Sequence, residues 1–555
     1  MEAERSGTGP VWVSEALRAL GAALEGSRAP PTAWFKESSQ KNLRSRDFLA
    51  PRGALQKSFP DGEVPEELLQ KLMSINVSGV PPIKRCQQTE AGLVVQLDRP
   101  AVFHRVLRDF TPYLRPAPSV TDSAQNIILL NCSPLQACRS LDTIKLSHLR
   151  AVLIADHLAE VLRSRGEQVH LVPAGHSEEV AAFLYQLGVS WPRTEEADIL
   201  EKTISGYEDY LKGKVLTSHT SVDPGQPAEE FFYQRVLFSV PLKSYTEEQN
   251  LCLQGYDPNL DTFQVTTVDL EHVARLQGSV QERVKTASPS TVLHVVSCAE
   301  EFHQQKLNLL WRLLDPGATA VTQKLLICGP VKVLHFPSPI SGPQYYHLRK
   351  SQMREASVMK YGESVQGDSW DGIITCLTSA AVRFELMATP HRSQVTVDIE
   401  DSNITTKGTK SGAFVMYNCA RLATMFNSYD SAVHQGLYPG FPPAEEINYS
   451  SLSEEGEWLL LFNYIMMFPE VLSQSAEISL TSPGIRVTAN TEAVCKFLVG
   501  LSMDFSCYYN RVHILGEPLP HLFGQMFARL HLMKAVRSVL RSALDTLHIL
   551  PLTQI

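Results

Sequence analysis

Three spacings of apolar residues succeed one another along the chain. Residues 12–24 repeat apolar positions at helical spacing, and residues 92–110 (GLVVQLDRPAVFHRVLRDF) run as strand, turn and helix. A Pro/Ser-rich joint at residues 116–123 follows. Beyond it come an unbroken apolar run over residues 124–132, an amphipathic helix over 146–166 and a second strand over 167–172. A strand, helix and strand of these lengths predict a right-handed crossover in a parallel sheet. Residues 291–298 and 325–336 add two strands with a helix between them, whereas residues 191–261 read as an irregular insertion. The last third is helical, opening at residues 412–428 and closing at 523–550. On the closing helix Met526, Leu530, Met533, Leu540, Leu544 and Leu547 stack into one apolar stripe. The pattern predicts a multidomain chain: a small α+β N-terminal domain (1–118), a central α/β domain of Rossmann type (119–400) and an all-α C-terminal bundle (401–555).

Length agrees, since 555 residues exceed what one core holds. Charge narrows the function classes. With 50 Lys and Arg against 59 Asp and Glu the net charge is −9, so any nucleic-acid surface is local. Two regions are locally basic. Residues 478–555 carry seven Lys/Arg against four acids, and residues 36–57 carry six against two. Over residues 34–57 Trp34, Phe35 and Phe48 interleave with the cations, a composition suited to stacking bases and pairing phosphates. On the closing helix Lys534, Arg537 and Arg541 form a basic edge beside the stripe. Arg537 lies nearest the stripe and is expected to bond a backbone carbonyl, leaving Lys534 and Arg541 for phosphate; a solvated flank is the plainer reading. The acidic loop at residues 445–457 is expected to be solvated.

Ten cysteines without a CxxC pair read as reduced thiols of a cytosolic or nuclear protein, with a cytoplasmic location the first expectation. No apolar run approaches a membrane span, and the opening MEAERSGTGP has no signal-peptide core. No His, Cys or Asp cluster has metal-ligand spacing, and GTKSG at residues 408–412 lacks the glycines of a phosphate loop. No cofactor or metal is therefore expected.

The order of four segments carries more. Tyr417, Ala420 and Arg421 on the first C-terminal helix are followed by FNYIMMFPEVL (462–472), then FLVGLSMDFSCYYNRVHIL (497–515), then AVRSVLRSALDTLHI on the closing helix. This series resembles the DALR anticodon-binding domain of arginyl-tRNA synthetases. The resemblance implies tRNA contacts at Tyr417, Arg421, Tyr509, Asn510, Arg511, Lys534, Arg537 and Arg541. Residues 92–110 resemble the end of that family's N-terminal additional domain. Residues 126–172 resemble its class I nucleotide-binding fold, with Asn131, Ser133 and Pro134 at the Ser-Pro turn and His148, Leu149 and Arg150 ending the His-x-Gly-His-Leu-Arg signature. Here Lys145 replaces the first histidine and Ser147 the glycine. Those histidines would stabilise charge on the phosphates, and the glycine admits the adenine. The second signature, a mobile lysine-rich loop, is expected within residues 346–365, which hold Lys350, Ser351 and Lys360 but no copy of it.

The chain is identified as a member of the arginyl-tRNA-synthetase-like proteins with a degenerate active site. The resemblance implies a non-catalytic adaptor for arginine tRNAs, partnered with a tRNA 3-methylcytosine methyltransferase that modifies the anticodon loop. Two readings compete: a divergent ligase using Lys145, and a protein scaffold without RNA.

Overall fold

The computed structural model describes residues 9–25, 35–38, 40–59, 61–116, 127–194, 197–214, 235–251, 254–283, 290–335, 339–400 and 411–554. Trp34, the joint at 117–123 and the GTK of the glycine-rich stretch lie outside them. The N-terminal domain follows the expected strand, turn and helix. Its elements are α1 (Val13–Glu25), β1 (Lys36–Glu37), β2 (Phe48–Pro51), α2 (Glu66–Met73), β3 (Ile83–Thr89), β4 (Gly92–Leu97) and α3 (Arg99–Arg108). The four strands form an antiparallel sheet in the order β1-β2-β4-β3. Asp98 caps α3 by accepting from the Ala101 amide, with Pro100 in the first turn. Phe35 and Phe48 are buried in this core. They are therefore unavailable for base stacking, which corrects the interleaved-aromatic reading at these two positions. The buried carboxylate of Asp47 anchors the domain to the C-terminal bundle. It accepts from Trp458 Nε1 (2.9 Å) and the Leu97 amide (2.8 Å), with Arg99 Nη2 at 3.2 Å.

The central domain contains β5 (Ile127–Cys132), α4 (Leu146–Ser164), β6 (Gln168–Leu171) and an antiparallel hairpin of β7 (Val236–Pro241) with β8 (Thr262–Thr266). Then come α5 (Thr267–Arg283), β9 (Ser290–Ser297), α6 (Glu301–Leu314), β10 (Thr322–Cys328) and β11 (Val331–Leu334). The insertion is more regular than its sequence suggests, with a helix at Ala197–Gly213 and the β7–β8 hairpin, whose second strand starts at Thr262. Strands β5 and β9 are buried along their lengths, as a two-sided parallel sheet requires. The run expected as one strand over 325–336 breaks at Gly329 and Pro330. A Cβ at Gly329 would lie 2.5 Å from the Arg392 carbonyl, so the chain passes there only without a side chain. Past the break, β11 pairs in parallel with β12 (Val395–Asp398) in a separate ribbon.

Two long helices, α7 (Gly342–Tyr361) and α8 (Asp368–Met387), lead through β12 to the bundle. The bundle's main helices are α9 (Gly412–His434), α10 (Ala493–Arg511) and α11 (Pro520–Asp545). Residues 462–472 form no single helix: a π-helical turn at Leu460–Ile465 precedes a helix at Phe468–Ser475. The two-residue strand β13 (Arg486–Val487) leaves the bundle and pairs in parallel with β10. The large sheet is thus five-stranded, ordered β13-β10-β9-β5-β6. Among the described residues no helix is long and apolar enough to cross a membrane.

Three fully buried arginines connect these parts. Arg150, in the first turns of α4, donates to five carbonyls: Leu386 (3.1 Å), Gly329 (2.9 Å), Ser393 (2.6 Å), Thr389 (3.2 Å) and Pro390 (2.9 Å). Arg349 on α7 pairs with Glu385 on α8 at 2.8 Å. Arg383 on α8 donates to Asp156 on α4 (2.9 Å) and to the Leu187 carbonyl (2.8 Å). Asp156 also takes His548 Nδ1 at 2.9 Å, with Glu160 at 3.8 Å from the other ring nitrogen. His157 Nδ1 donates to the Thr546 carbonyl at 2.8 Å. The closing helix ends at Asp545, short of the expected residue 550, and His548 turns left-handed at φ 48° just beyond it. A Cβ at Gly188 would lie 2.4 Å from the His548 carbonyl, so the turn seats against a position that has none.

The carboxylates of Asp156 and Glu160 raise His548 from 6.5 to about 9. A folded-state pKa above the unfolded value stabilises below that unfolded value, about 6.5, and the gain is lost as pH rises through the folded one. His548→Asn retains a residue tolerant of the left-handed turn but removes the charge. The variant is expected to melt below the parent chain at pH 6 and to match it near pH 10. A gap in melting temperature that stays constant across that range would refute the ion pair's role.

Candidate functional site

The C-terminal ends of β5 and β9 flank the topological switch point, where open parallel sheets leave a crevice. A cavity of about 450 Å³ lies there, with Lys145, His148, Asp269, His272, Glu300 and His303 in its wall. Lys145 is exposed at the start of α4, without a side-chain cap of its own, and Ser147 is half-buried in the first turn. His148 Nε2 lies 2.7 Å from Glu300 Oε1. Across the cavity His303 pairs with Asp269 at 2.8 Å. Burial disfavours charge on His303, but Asp269 outweighs it and holds the imidazole above its usual pKa. Beneath them the Asn131 amide donates to His272 Nε2 (3.0 Å) and His294 Nδ1 (2.9 Å). Burial pulls both rings down, His294 to about 3, so they accept as neutral imidazoles. Asp142, Asp269 and Glu300 face the space against one ammonium, and the histidine at the expected phosphate position already has an anionic partner.

The region expected to hold a mobile lysine-rich loop is instead ordered α7. Ser341 caps it in a reciprocal capping box with Gln344, and the Gly342 amide donates to the Ile144 carbonyl beside Lys145 (2.7 Å). Lys360 ends α7 and rests 4.1 Å from the centre of the Tyr417 ring on α9.

The other candidate residues fall on the bundle. Ser411 caps α9, and Gly412 sits where a Cβ would come 2.2 Å from the Ala380 carbonyl of α8. Val415, Met416, Cys419 and Leu422 face the core. At 100° per residue this leaves a solvent strip of Thr424, Asn427, Ser428 and Ser431. The sequence-predicted residues divide between its two flanks. On one flank Arg421 donates to Ser506 (3.0 Å) and lies 6.0 Å from the Tyr509 ring centre. Asn510 and Arg511 are exposed in the last turn of α10, where Arg511 donates to the local Cys507 carbonyl (3.3 Å). On the other flank lie Lys534, Arg537 and Arg541, all exposed. Among the described residues Arg537 finds no backbone carbonyl. Its guanidinium lies 4.3 Å from the Phe426 ring centre, so an aromatic face takes the place of the expected oxygen. Lys534 lies 5.9 Å from Phe441. Among the described residues none of these cations has a carboxylate within ion-pair distance. Along the strip a cleft of about 400 Å³ opens between α9 and the C-terminal Thr553 and Gln554. Its walls carry hydroxyls and amides and no charge.

The apolar stripe on α11 is buried as expected, whereas the acidic loop is only partly solvated. Glu457 is fully buried and accepts from Arg529 Nε (2.8 Å) and Tyr508 (3.0 Å). Sequence reasoning missed Glu300 and Asp269 as partners of the cavity histidines, and Phe426 and Phe441 as supports for the basic edge. No spacing rule links those positions, which meet only through the fold.

Comparison with known proteins agrees with this architecture. Residues 11–113 match the DALR, N-terminal domain family and residues 415–555 the DALR anticodon binding domain family. The fold is similar to that of arginyl-tRNA synthetase from Plasmodium falciparum, with a TM-score of 0.61 and 12% identity over 99% of this chain and 100% of that one. For the Thermus thermophilus arginyl-tRNA synthetase the TM-score is 0.55 and the identity 14%, over 98% and 100% of the two chains. Whole-length similarity in sequence is higher elsewhere. DALR anticodon-binding domain-containing protein 3 of Danio rerio is 45% identical, covering 98% of this chain and 99% of its own length. The Mus musculus protein of the same name is 44% identical, covering 99% and 100%. With a helical bundle of the anticodon-binding type, a Rossmann-like core and relatives matched end to end, the chain belongs to the DALR anticodon-binding domain-containing protein 3 family.

Proposed function

We propose that this chain binds tRNA through its helical domain and does not charge it. The observation that carries the reading is a contrast in pairing. His148 in the cavity is held by Glu300 at 2.7 Å, while the cations beside α9 and on α11 have no carboxylate partner among the described residues. Charges that fold against each other are spent inside the molecule; exposed cations beside aromatics remain for an anionic partner. We extend the proposal to arginine tRNAs, because the full-length fold neighbours are named arginyl-tRNA synthetases. The resemblance further suggests that the protein presents the anticodon loop to a tRNA 3-methylcytosine methyltransferase in the cytosol. An exposed Lys145 keeps a ligase reading testable.

Purified protein is expected to give no arginine-dependent exchange of pyrophosphate into ATP. Losing one electrostatic contributor costs about a hundred- to a thousandfold in rate, and here two signature positions differ. The double variant Lys145→His, Ser147→Gly should stay silent as well, since Glu300 still occupies His148. Exchange clearly above a no-enzyme blank in either protein would restore the ligase.

Cells lacking the protein are expected to lose one methylation on a small tRNA subset while all tRNAs remain fully charged. Sequencing that reads modification, run beside acid gels that read charging, distinguishes the outcomes. A uniform drop in arginine charging with modification intact would contradict the adaptor.

Replacing Lys534 and Arg541 together by Ala should weaken tRNA binding and flatten its salt dependence by roughly one to one and a half units, at about 0.7 per phosphate contact on single strands. Arg537→Ala should instead lower the melting temperature by removing the stack on Phe426. Unchanged affinity and slope in the double variant would reduce the basic edge to a solvated flank.

A further inference from the structure

Lys360 belongs to the central domain by sequence, yet its ammonium lies on an aromatic ring of the bundle. It stands in the last turn of α7, 4.1 Å from the centre of Tyr417 and 5.0 Å from that of Tyr361. A cation at a helix C-terminus is favoured by the backbone dipole, which accounts for a lysine there. The dipole does not account for its lying across a ring from another domain. The end of α7 is also uncovered: Val358 is 45% exposed and Met359 82%, the highest value among the exposed large apolar residues. On its inner side the same turn is anchored by Tyr361, whose ring lies 5.3 Å from that of Trp370 on α8.

Tyr417 and Arg421 are four residues apart on α9, so they share a face about 6 Å apart along the axis. Lys360 over Tyr417 and Arg421 beside Tyr509 therefore make two cation–aromatic pairs one helical turn apart, with both cations exposed. That interval suits neighbouring phosphates of one extended strand. The uncharged cleft of Thr424, Ser428 and Gln554 continues the same strip of α9. Such hydroxyls and amides read base edges, which a single-stranded loop offers and an A-form duplex hides in its deep groove.

We propose that Lys360 is an RNA-binding residue, and that Lys360 and Arg421 with their aromatic partners form one composite site for an unpaired RNA loop, spanning the central domain and the bundle. The proposal rests on the tRNA-binding reading above and adds to it a residue from the domain that resembles a catalytic one. Neighbouring phosphates meet the two cations, and the bases face the neutral cleft.

The test uses the full chain with two synthetic RNAs, an anticodon-arm hairpin with an unpaired loop and a blunt duplex of equal length. Lys360→Ala is expected to weaken hairpin binding about three- to tenfold and to lower the salt slope by about 0.7, the increment of one phosphate contact. Binding to the duplex should be nearly unchanged, and Lys360→Arg should recover most of the loss. Thermal melts of both variants report whether the α7–α9 contact is merely a staple. If Lys360→Ala melts lower but keeps its hairpin affinity and slope while Arg421→Ala binds weakly, this inference fails and the tRNA reading stands. If the parent chain binds neither RNA, both fail together.

Discussion

A guanidinium without a carboxylate fixes this molecule. Arg150 fills its five-donor fork with five main-chain oxygens drawn from the end of α8, the loop before β12 and the break after β10. Lysine, with three donors and no planar fork, could not satisfy the same set. The cage orients α8 against α4, and that orientation lets Arg383 reach Asp156. Asp156 in turn receives His548 from the end of the bundle. One buried cation thus sets the path by which the helical domain returns to the sheet. Removing one donor would deprive a buried carbonyl of its guanidinium partner, at about 1–3 kcal/mol where no other donor reaches it.

Much of this was legible in the sequence. The unbroken apolar run of β5 and the amphipathic α4 announced a parallel sheet, and the α11 stripe announced a bundle, because burial follows the backbone period. The motif series around Arg421 and Tyr509 located the helices that carry the exposed cations. Spacing could not reveal which side chains meet from distant positions. Glu300 reaches His148, and Phe426 reaches Arg537, across separations of roughly a hundred residues or more that only tertiary packing closes. Local chemistry also misled where one residue ended an element: Gly329 and Pro330 cut an apparent strand in two, and Phe35 and Phe48 went to a core that their basic neighbours concealed.

The molecule treats its charges in two ways. In the crevice each histidine facing solvent has a carboxylate, and the deeper pair is neutral by burial. On the bundle Arg529 pairs with the buried Glu457, whereas the exposed Arg421, Lys534 and Arg537 lie beside rings rather than acids. A cation on an aromatic face gives up little hydration and keeps its hydrogen-bond donors. The overall negative charge of the chain limits such attraction to that local patch.

The two-residue strand β13 has a consequence for how this chain could change over time. It closes the sheet at β10, while Lys324 donates to the Ser482 (2.7 Å) and Gly484 (2.6 Å) carbonyls on the way. The bundle and the sheet are therefore not separable modules joined by a tether. A lineage that gave up nucleotide chemistry could not then discard the domain built for it, because the outer strand of that domain is encoded inside the helical one. Loss of function would release the crevice from selection while packing kept the scaffold, so drift should gather around the cavity rather than in the strands beneath it.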